Sequence, residues 1–173
     1  MLKKRIIFTL LYDNGNFVLS RNFRLQKVGD LHWLKENYNF AHIAFYIDEL
    51  IVLNVTRNNR SIDQFSSMLK ELSNECLVPI AAGGGIGSVS DGRKLLQSGA
   101  DKLVLNTAIF KNLNLIKELN QEYGKQCIVG SVDIKTHGGT IEFFINNGGD
   151  KIETPASDPV TLVTLEYLGE LFL

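Results

Sequence analysis

Short apolar runs alternate along the chain with segments in which apolar residues return every three or four positions. The runs "RIIFTLL" (5–11), "ELIVLNV" (49–55), "LVPIAA" (77–82), "KLVLN" (102–106), "QCIVGSVDI" (126–134) and "GELFL" (169–173) have the length and apolar character of strands. Between the second and third, Ser61 followed by Gln64 has the form of a capping box. The helix it starts would carry Ile62, Phe65, Met68, Leu69 and Leu72 on one face. Further helices are predicted from about Ser88 to Ser98, ended by Gly99, and over "LNLIKELNQEY", capped by Asn112 and ended by Gly124. "HWLKENYNF" closes an earlier helical stretch, after a turn and a short "FVL" run. Residues 136–157 interrupt the rhythm with a Gly/Asn-rich stretch in which "TIEFFI" predicts a small hairpin, and Asp158-Pro159 predicts a fifth helix start.

Strands that are apolar nearly throughout, each followed by an amphipathic helix, predict a parallel sheet covered by helices. A doubly wound open sheet and a (β/α) barrel both fit. Polar residues at the C-terminal ends of successive strands, with no evident switch point, favour the barrel. The expected architecture is one domain over residues 1–173, an incomplete (β/α)8 TIM barrel of about six parallel strands. Its last apolar strand ends on "LFL", so the pattern has the look of a barrel cut short.

Composition narrows the classes of partner. The 173 residues are 45% hydrophobic and 21% charged, and 18 basic against 19 acidic residues leave a net charge of -1. Such a balance offers no electrostatic footprint for nucleic acid or an anionic membrane. "MLKKRIIFTLLYDNG" superficially resembles a secretion signal, but its apolar run is short and no cleavage site follows, so it is taken as the first buried strand. Nowhere does the chain approach the ~20 apolar residues of a membrane helix. Cys76 and Cys127 lack metal-ligand spacing, and reduced thiols in a cytoplasmic protein are expected, with no metal and no cofactor.

The candidate chemistry begins at "IAAGGGIGS" (80–88). In a parallel α/β protein the loop after a strand leads to a helix N-terminus, whose free N–H groups attract anions. Glycines there let the backbone approach a phosphate, although a Gly-rich turn also serves tight packing. Gly83, Gly84 and Gly85 occupy that place, and the next unit adds Asn106 and Thr107 at the end of its strand. Two adjacent loops of this chemistry predict a phosphorylated small-molecule ligand.

"GKQCIVGSVDIK", "GGGI" followed by "NTA", "GADK" and the opening "KRII" together resemble the cyclase subunit of imidazole glycerol phosphate synthase, over essentially the whole chain. That resemblance implies a (β/α)8 barrel that receives ammonia from a glutaminase subunit and forms imidazole glycerol phosphate in histidine biosynthesis. It assigns Gly84, Gly85, Asn106 and Thr107 to one substrate phosphate, and Asp133 to acid–base catalysis. Arg5, Glu49, Lys102 and Glu170, each at the start of a strand, would form a ring of salt bridges gating the ammonia.

Three positions depart from the family pattern. Leu11 stands where a second catalytic aspartate is expected, Leu19 where a lysine is, and Asn54 where the aspartate ending strand two is. A leucine cannot move a proton. The same sequence therefore also supports a non-cyclising ammonia-channel subunit, like relatives associated with surface-glycan (acetamidino sugar) biosynthesis, or a non-functional remnant. An uncovered sixth strand would expose unpaired backbone groups, so poor solubility or a homodimer through that edge is expected.

Overall fold

The computed structural model describes residues 4–21, 24–137, 140–146, 148–152 and 167–172. In chain order it contains β1 (Ile7–Asp13), β2 (Asn16–Arg21), β3 (Arg24–Gly29), α1 (Leu31–Asn37), α2 (Phe40–Ile43), β4 (Glu49–Asn54), α3 (Ile62–Ser73), β5 (Ile80–Gly83) and α4 (Val89–Gln97). These are followed by β6 (Lys102–Leu105), α5 (Thr107–Lys111), α6 (Leu113–Tyr123), β7 (Ile128–Ser131), β8 (Asp133–His137), β9 (Thr140–Ile145), β10 (Asp150–Ile152) and β11 (Glu170–Phe172).

Six strands pair in parallel in the order β1-β4-β5-β6-β7-β11, each beside its predecessor of that set. Strand order never reverses among them, which separates this sheet from a doubly wound one and matches six of the eight strands of a (β/α)8 barrel. β2 and β3 fold back antiparallel and extend the sheet beyond β1. β8, β9 and β10 form a separate antiparallel sheet. Among the described residues, no helix is long and apolar enough to cross a membrane.

Side-chain alternation divides each parallel strand between two surroundings. Leu50, Val52, Ile80, Ala82, Leu103, Leu105 and Ile128 belong to the large core under the helices, together with Phe65, Leu69, Leu72, Leu95 and Leu119. The alternate residues Ile51, Ala81, Val104 and Val129, with Leu53 against them, form a second and smaller cluster on the other face. α3 buries the face its periodicity predicts: Phe65, Met68, Leu69 and Leu72 are buried. Phe65 closes an aromatic group with Tyr12, its ring centroid at 5.4 Å.

Several local expectations are refined. Ser61 caps α3 by accepting the Gln64 N–H at 3.1 Å, while the Gln64 side chain lies beside the Gly15 turn. The full capping box is found on α4, between Ser88 and Asp91. Asn112 caps α6 through the Leu115 N–H, and Gly124 ends it at φ +81°. β3, over "RLQKVG", has no counterpart in the sequence reading because its pattern is polar; it is an edge strand with half of its residues exposed and none buried. The predicted fifth strand divides: β7 stops at Ser131, and after buried Val132 the chain turns away, so Asp133 opens β8 opposite Phe144. The hairpin predicted at "TIEFFI" is β9 against β8 and β10. The helix predicted at Asp158-Pro159 lies outside the described residues.

Phe65 is fully buried between sheet and helix. Its replacement by alanine should cost about 3–5 kcal/mol in urea unfolding, a loss read as a lower midpoint with an unchanged slope.

Candidate functional site

Two neighbouring loops fix the strand starts. Asp48 precedes β4, and its Oδ2 accepts the Ile6 N–H at 2.8 Å while its own N–H donates to the Ile6 carbonyl at 2.8 Å. Asp101 precedes β6 and repeats the arrangement on Ile80, at 2.8 and 2.7 Å. The residue following each clip, Glu49 or Lys102, therefore enters its strand pointing to the same side as the small cluster. In "GADK", Gly99 turns at φ +99°, Ala100 is buried, Asp101 clips and Lys102 projects.

Four charges close a ring there. Arg5 Nη1 lies 3.2 Å from Glu49 Oε2 and its Nη2 lies 3.0 Å from Glu170 Oε2; Lys102 Nζ lies 3.1 Å from Glu49 Oε1 and 2.7 Å from Glu170 Oε1. Each cation touches both anions, so the ring carries no net charge. Glu49 is only 3% exposed. Burial pulls the Lys102 ammonium towards its neutral form, but hydrogen bonds to Glu170 and Glu49, with their charges, outweigh it and hold the pKa above the usual lysine value. At Glu170, burial is likewise outweighed by Lys102 and Arg5, and its carboxyl is held below the ordinary range.

Along β4 the same face runs Glu49, Ile51, Leu53, and along β6 with its following residue it runs Lys102, Val104, Asn106. Charge ring, apolar layer and polar end are thus stacked, with about 13 Å of strand between the first and the last. At the polar end opens a cavity of about 770 Å³, lined by residues that include Leu11, Gly84, Gly85, Asn106, Thr107 and Asp133. All five residues expected from the sequence to bind phosphate or transfer protons meet in it.

Each of them has an identifiable local cause. The Asp133 carboxyl is pushed above its usual range by burial, an effect that the Gly148 N–H, the Asn106 amide and the Lys135 charge only partly offset. Asn106 also donates to the Ser131 carbonyl at 3.0 Å, tying the ends of β6 and β7 together. The Thr107 hydroxyl donates to Asn106 Oδ1 at 3.4 Å and approaches Asn146 Oδ1 at 3.5 Å. α5 has no side-chain cap at its start.

Of the two reasons the sequence offers for the triple glycine, tight packing accounts for its first two members. A Cβ on Gly83 would lie 2.2 Å from the Val104 carbonyl oxygen, and one on Gly84 2.1 Å from that of Asn54. Gly84 and Gly85 also have φ of +102° and +83°. Neighbouring strands, not a ligand, exclude side chains at the first two. The N-terminus of α4 is likewise occupied: Asp91 Oδ2 accepts the Gly87 and Ser88 N–H groups at 3.1 and 2.9 Å. An anion in the cavity would therefore rely on other donors than those two.

The three departures differ in position. Leu11 lines the cavity. Asn54 lines it too, buried, with Oδ1 accepting the Thr56 N–H at 3.1 Å. Leu19 faces away, 64% exposed, because strand alternation turns Ser20 to the cavity instead. Sequence reasoning missed Arg57 and Arg60, which line the same cavity from the loop after β4; two arginines within "TRNNR" at the C-terminal end of a strand were the available signal.

Residues 5–173 match the family model described as histidine biosynthesis protein. A putative imidazole glycerol phosphate synthase subunit hisF2 from Parasynechococcus marenigrum is 49% identical over 148 residues, 86% of this chain and 55% of that protein. The imidazole glycerol phosphate synthase subunit HisF of Dictyoglomus thermophilum is 33% identical over 175 residues, the whole of this chain and 68% of that protein. A putative subunit hisF2 from Campylobacter jejuni is 34% identical, again over the whole chain and 67% of its own length. The chain thus spans between about half and two thirds of the length of these relatives. A match across almost every residue, with relatives of the same name at these identities, establishes that the chain belongs to the histidine biosynthesis protein family, as a relative of the HisF cyclase subunits of imidazole glycerol phosphate synthase.

Proposed function

We propose that the chain acts as the cyclase-type subunit of an imidazole glycerol phosphate synthase, in histidine biosynthesis. Ammonia from a glutaminase subunit enters at the ring of Arg5, Glu49, Lys102 and Glu170 and passes the apolar layer to the cavity. A phosphorylated ligand is held there by Gly84, Gly85, Asn106 and Thr107, and Asp133 transfers protons during ring closure. The observation that carries this reading is the alignment of a closed, neutral charge ring with the cavity on one strand face, about 13 Å apart. The names of the HisF relatives support it.

The strand-start end also has the surface a docked partner would need. Ile6, Phe45, Tyr46 and Leu77 are all exposed there, Phe45 at 85%, in the segments that lead into β1, β4 and β5. Exposed aromatic and aliphatic side chains grouped around a charged opening mark an interaction surface.

A second reading is favoured by Leu11. With a leucine on the cavity wall, Asp133 is the sole carboxylate among the lining residues described, and one acid–base partner is missing. The chain would then conduct ammonia to a separate acceptor without cyclising anything. Co-expression of the full chain with the glutaminase subunit of its own organism separates the two. Glutamine-dependent formation of imidazole glycerol phosphate from the family's ribonucleotide substrate establishes the first. Co-purification with glutamine-dependent ammonia release and no cyclised product establishes the second. Absence of any complex overturns both.

Under the first reading, Asp133→Asn should lower kcat by about 10²- to 10⁴-fold. Its effect on stability has the opposite sign. A raised carboxyl pKa means that the folded state holds the proton more tightly, so ionisation destabilises the fold as pH rises from the unfolded value towards the folded one. The variant should melt higher than the parent at pH 7 and no higher at pH 3.

Lys102→Ala leaves Glu170 and nearly buried Glu49 with Arg5 alone. It should cost roughly 2 kcal/mol at neutral pH, the partial exposure of the ring keeping this below the value of a fully buried pair. Because the Glu170 carboxyl is held below its usual range, the ring's contribution is complete above the unfolded value and is lost as pH falls through the folded one. The penalty should therefore shrink when melting is measured at pH 3.

A further inference from the structure

Arg60 is the unexplained residue of the cavity. Its Nε donates to the Thr56 carbonyl at 2.8 Å, which fixes the plane of the guanidinium and leaves the Nη edge for another partner. Its stem lies over Gly85: a Cβ there would come within 2.3 Å of Arg60 Cδ and 3.0 Å of Nη1. Glycine at 85 is thus what lets the cation sit beside the glycine loop. Among the described residues, Arg60 enters no ion pair, whereas Arg93, Lys94 and Lys35 elsewhere on the surface each meet a carboxylate. Its surroundings disfavour the charge, and desolvation pulls its pKa down with no opposing carboxylate.

The rest of the cavity makes this charge count. Asp133 is the one carboxylate among the described residues that line the cavity, and it makes no ion pair with Arg60. The loop donors nearest α4, the N–H groups of Gly87 and Ser88, are already engaged by Asp91. An anion held at the Gly84–Gly85 loop therefore needs a cationic donor from outside that loop, and Arg60 is seated beside it.

Building on the phosphate reading of the cavity given above, we infer that Arg60 is a specificity-determining residue that binds the phosphoryl group of the ligand through its Nη edge. Gly85 serves as the platform for the guanidinium. The site selects dianionic phosphate monoesters over neutral or singly charged analogues, because a planar guanidinium offers paired N–H donors as well as charge.

Titration of the full chain with inorganic phosphate, followed by calorimetry or phosphorus NMR, tests this alongside Arg60→Gln, Arg60→Lys and Thr107→Val. Saturable binding by the parent, weakened about tenfold or more in Arg60→Gln at unchanged melting temperature, is the expected result. Arg60→Lys should recover part of the affinity, and Arg60→Gln should flatten the salt dependence. If Arg60→Gln binds phosphate like the parent while Thr107→Val does not, the inference is overturned and the phosphate cavity stands. Loss of binding together with a lower melting temperature, unrecovered in Arg60→Lys, makes Arg60 a purely structural tie and also overturns it. No saturable binding by the parent removes the phosphate reading itself, and the inference with it.

Discussion

The register of the parallel ladder is set at the strand starts, where Asp48 holds Ile6 and Asp101 holds Ile80 through paired hydrogen bonds. With that register, Ile7 stands opposite Glu49, Thr9 opposite Ile51 and Leu11 opposite Leu53. A slip of one residue would exchange the two faces of a strand. It would carry Glu49 or Lys102 into the helix-covered core and bring Leu50 or Leu103 into the interior. Two short carboxylates thus decide where three of the four long charged side chains end. Gly169 gives β11 a related anchor: its N–H donates to the Ile128 carbonyl immediately before Glu170 enters the ring.

Neutrality is what makes the ring tolerable at this depth. Glu49 alone, almost without solvent, would carry the desolvation cost of an isolated carboxylate. With Arg5 and Lys102 both in reach, each lost water is replaced by a charged hydrogen bond. The more exposed members, Arg5 and Glu170, stay partly hydrated. Above the ring, Ile51, Ala81, Val104 and Val129 provide a dry layer with no polar side chain of their own. Small Ala81, followed on the same face by Gly83, keeps that layer from being filled completely by bulk at β5.

Much of this was legible in the sequence because it rests on period. The six parallel strands, the buried face of α3 and the caps of α4 and α6 follow from spacing and cap chemistry that tertiary contacts reinforce. The cavity residues were legible for a second reason: ends of parallel strands converge, so Gly85, Asn106, Thr107 and Asp133 had to approach one another. What escaped depends on contacts between distant segments. No local rule states that Gly84 faces the Asn54 carbonyl, that Asp91 consumes the donors at the start of α4, or that Arg60 crosses to Gly85. β3 escaped because an edge strand with exposed side chains has no apolar alternation to announce it. Leu19 misled in the other direction, since its place in the family pattern says nothing about which way a strand residue points.

The apolar layer between ring and cavity has a consequence for how such a chain changes over generations. Substitutions at the cavity wall, such as a leucine at position 11, alter no charge within contact of Lys102 or Glu49. Substitutions at the ring, conversely, leave the Asn106 and Asp133 surroundings as they were. Selection on the two ends is therefore only weakly linked, and drift at one mouth proceeds without penalty at the other. A charged entrance built in this way is portable: duplicated copies can inherit it intact while the opposite end is free to acquire a new clientele.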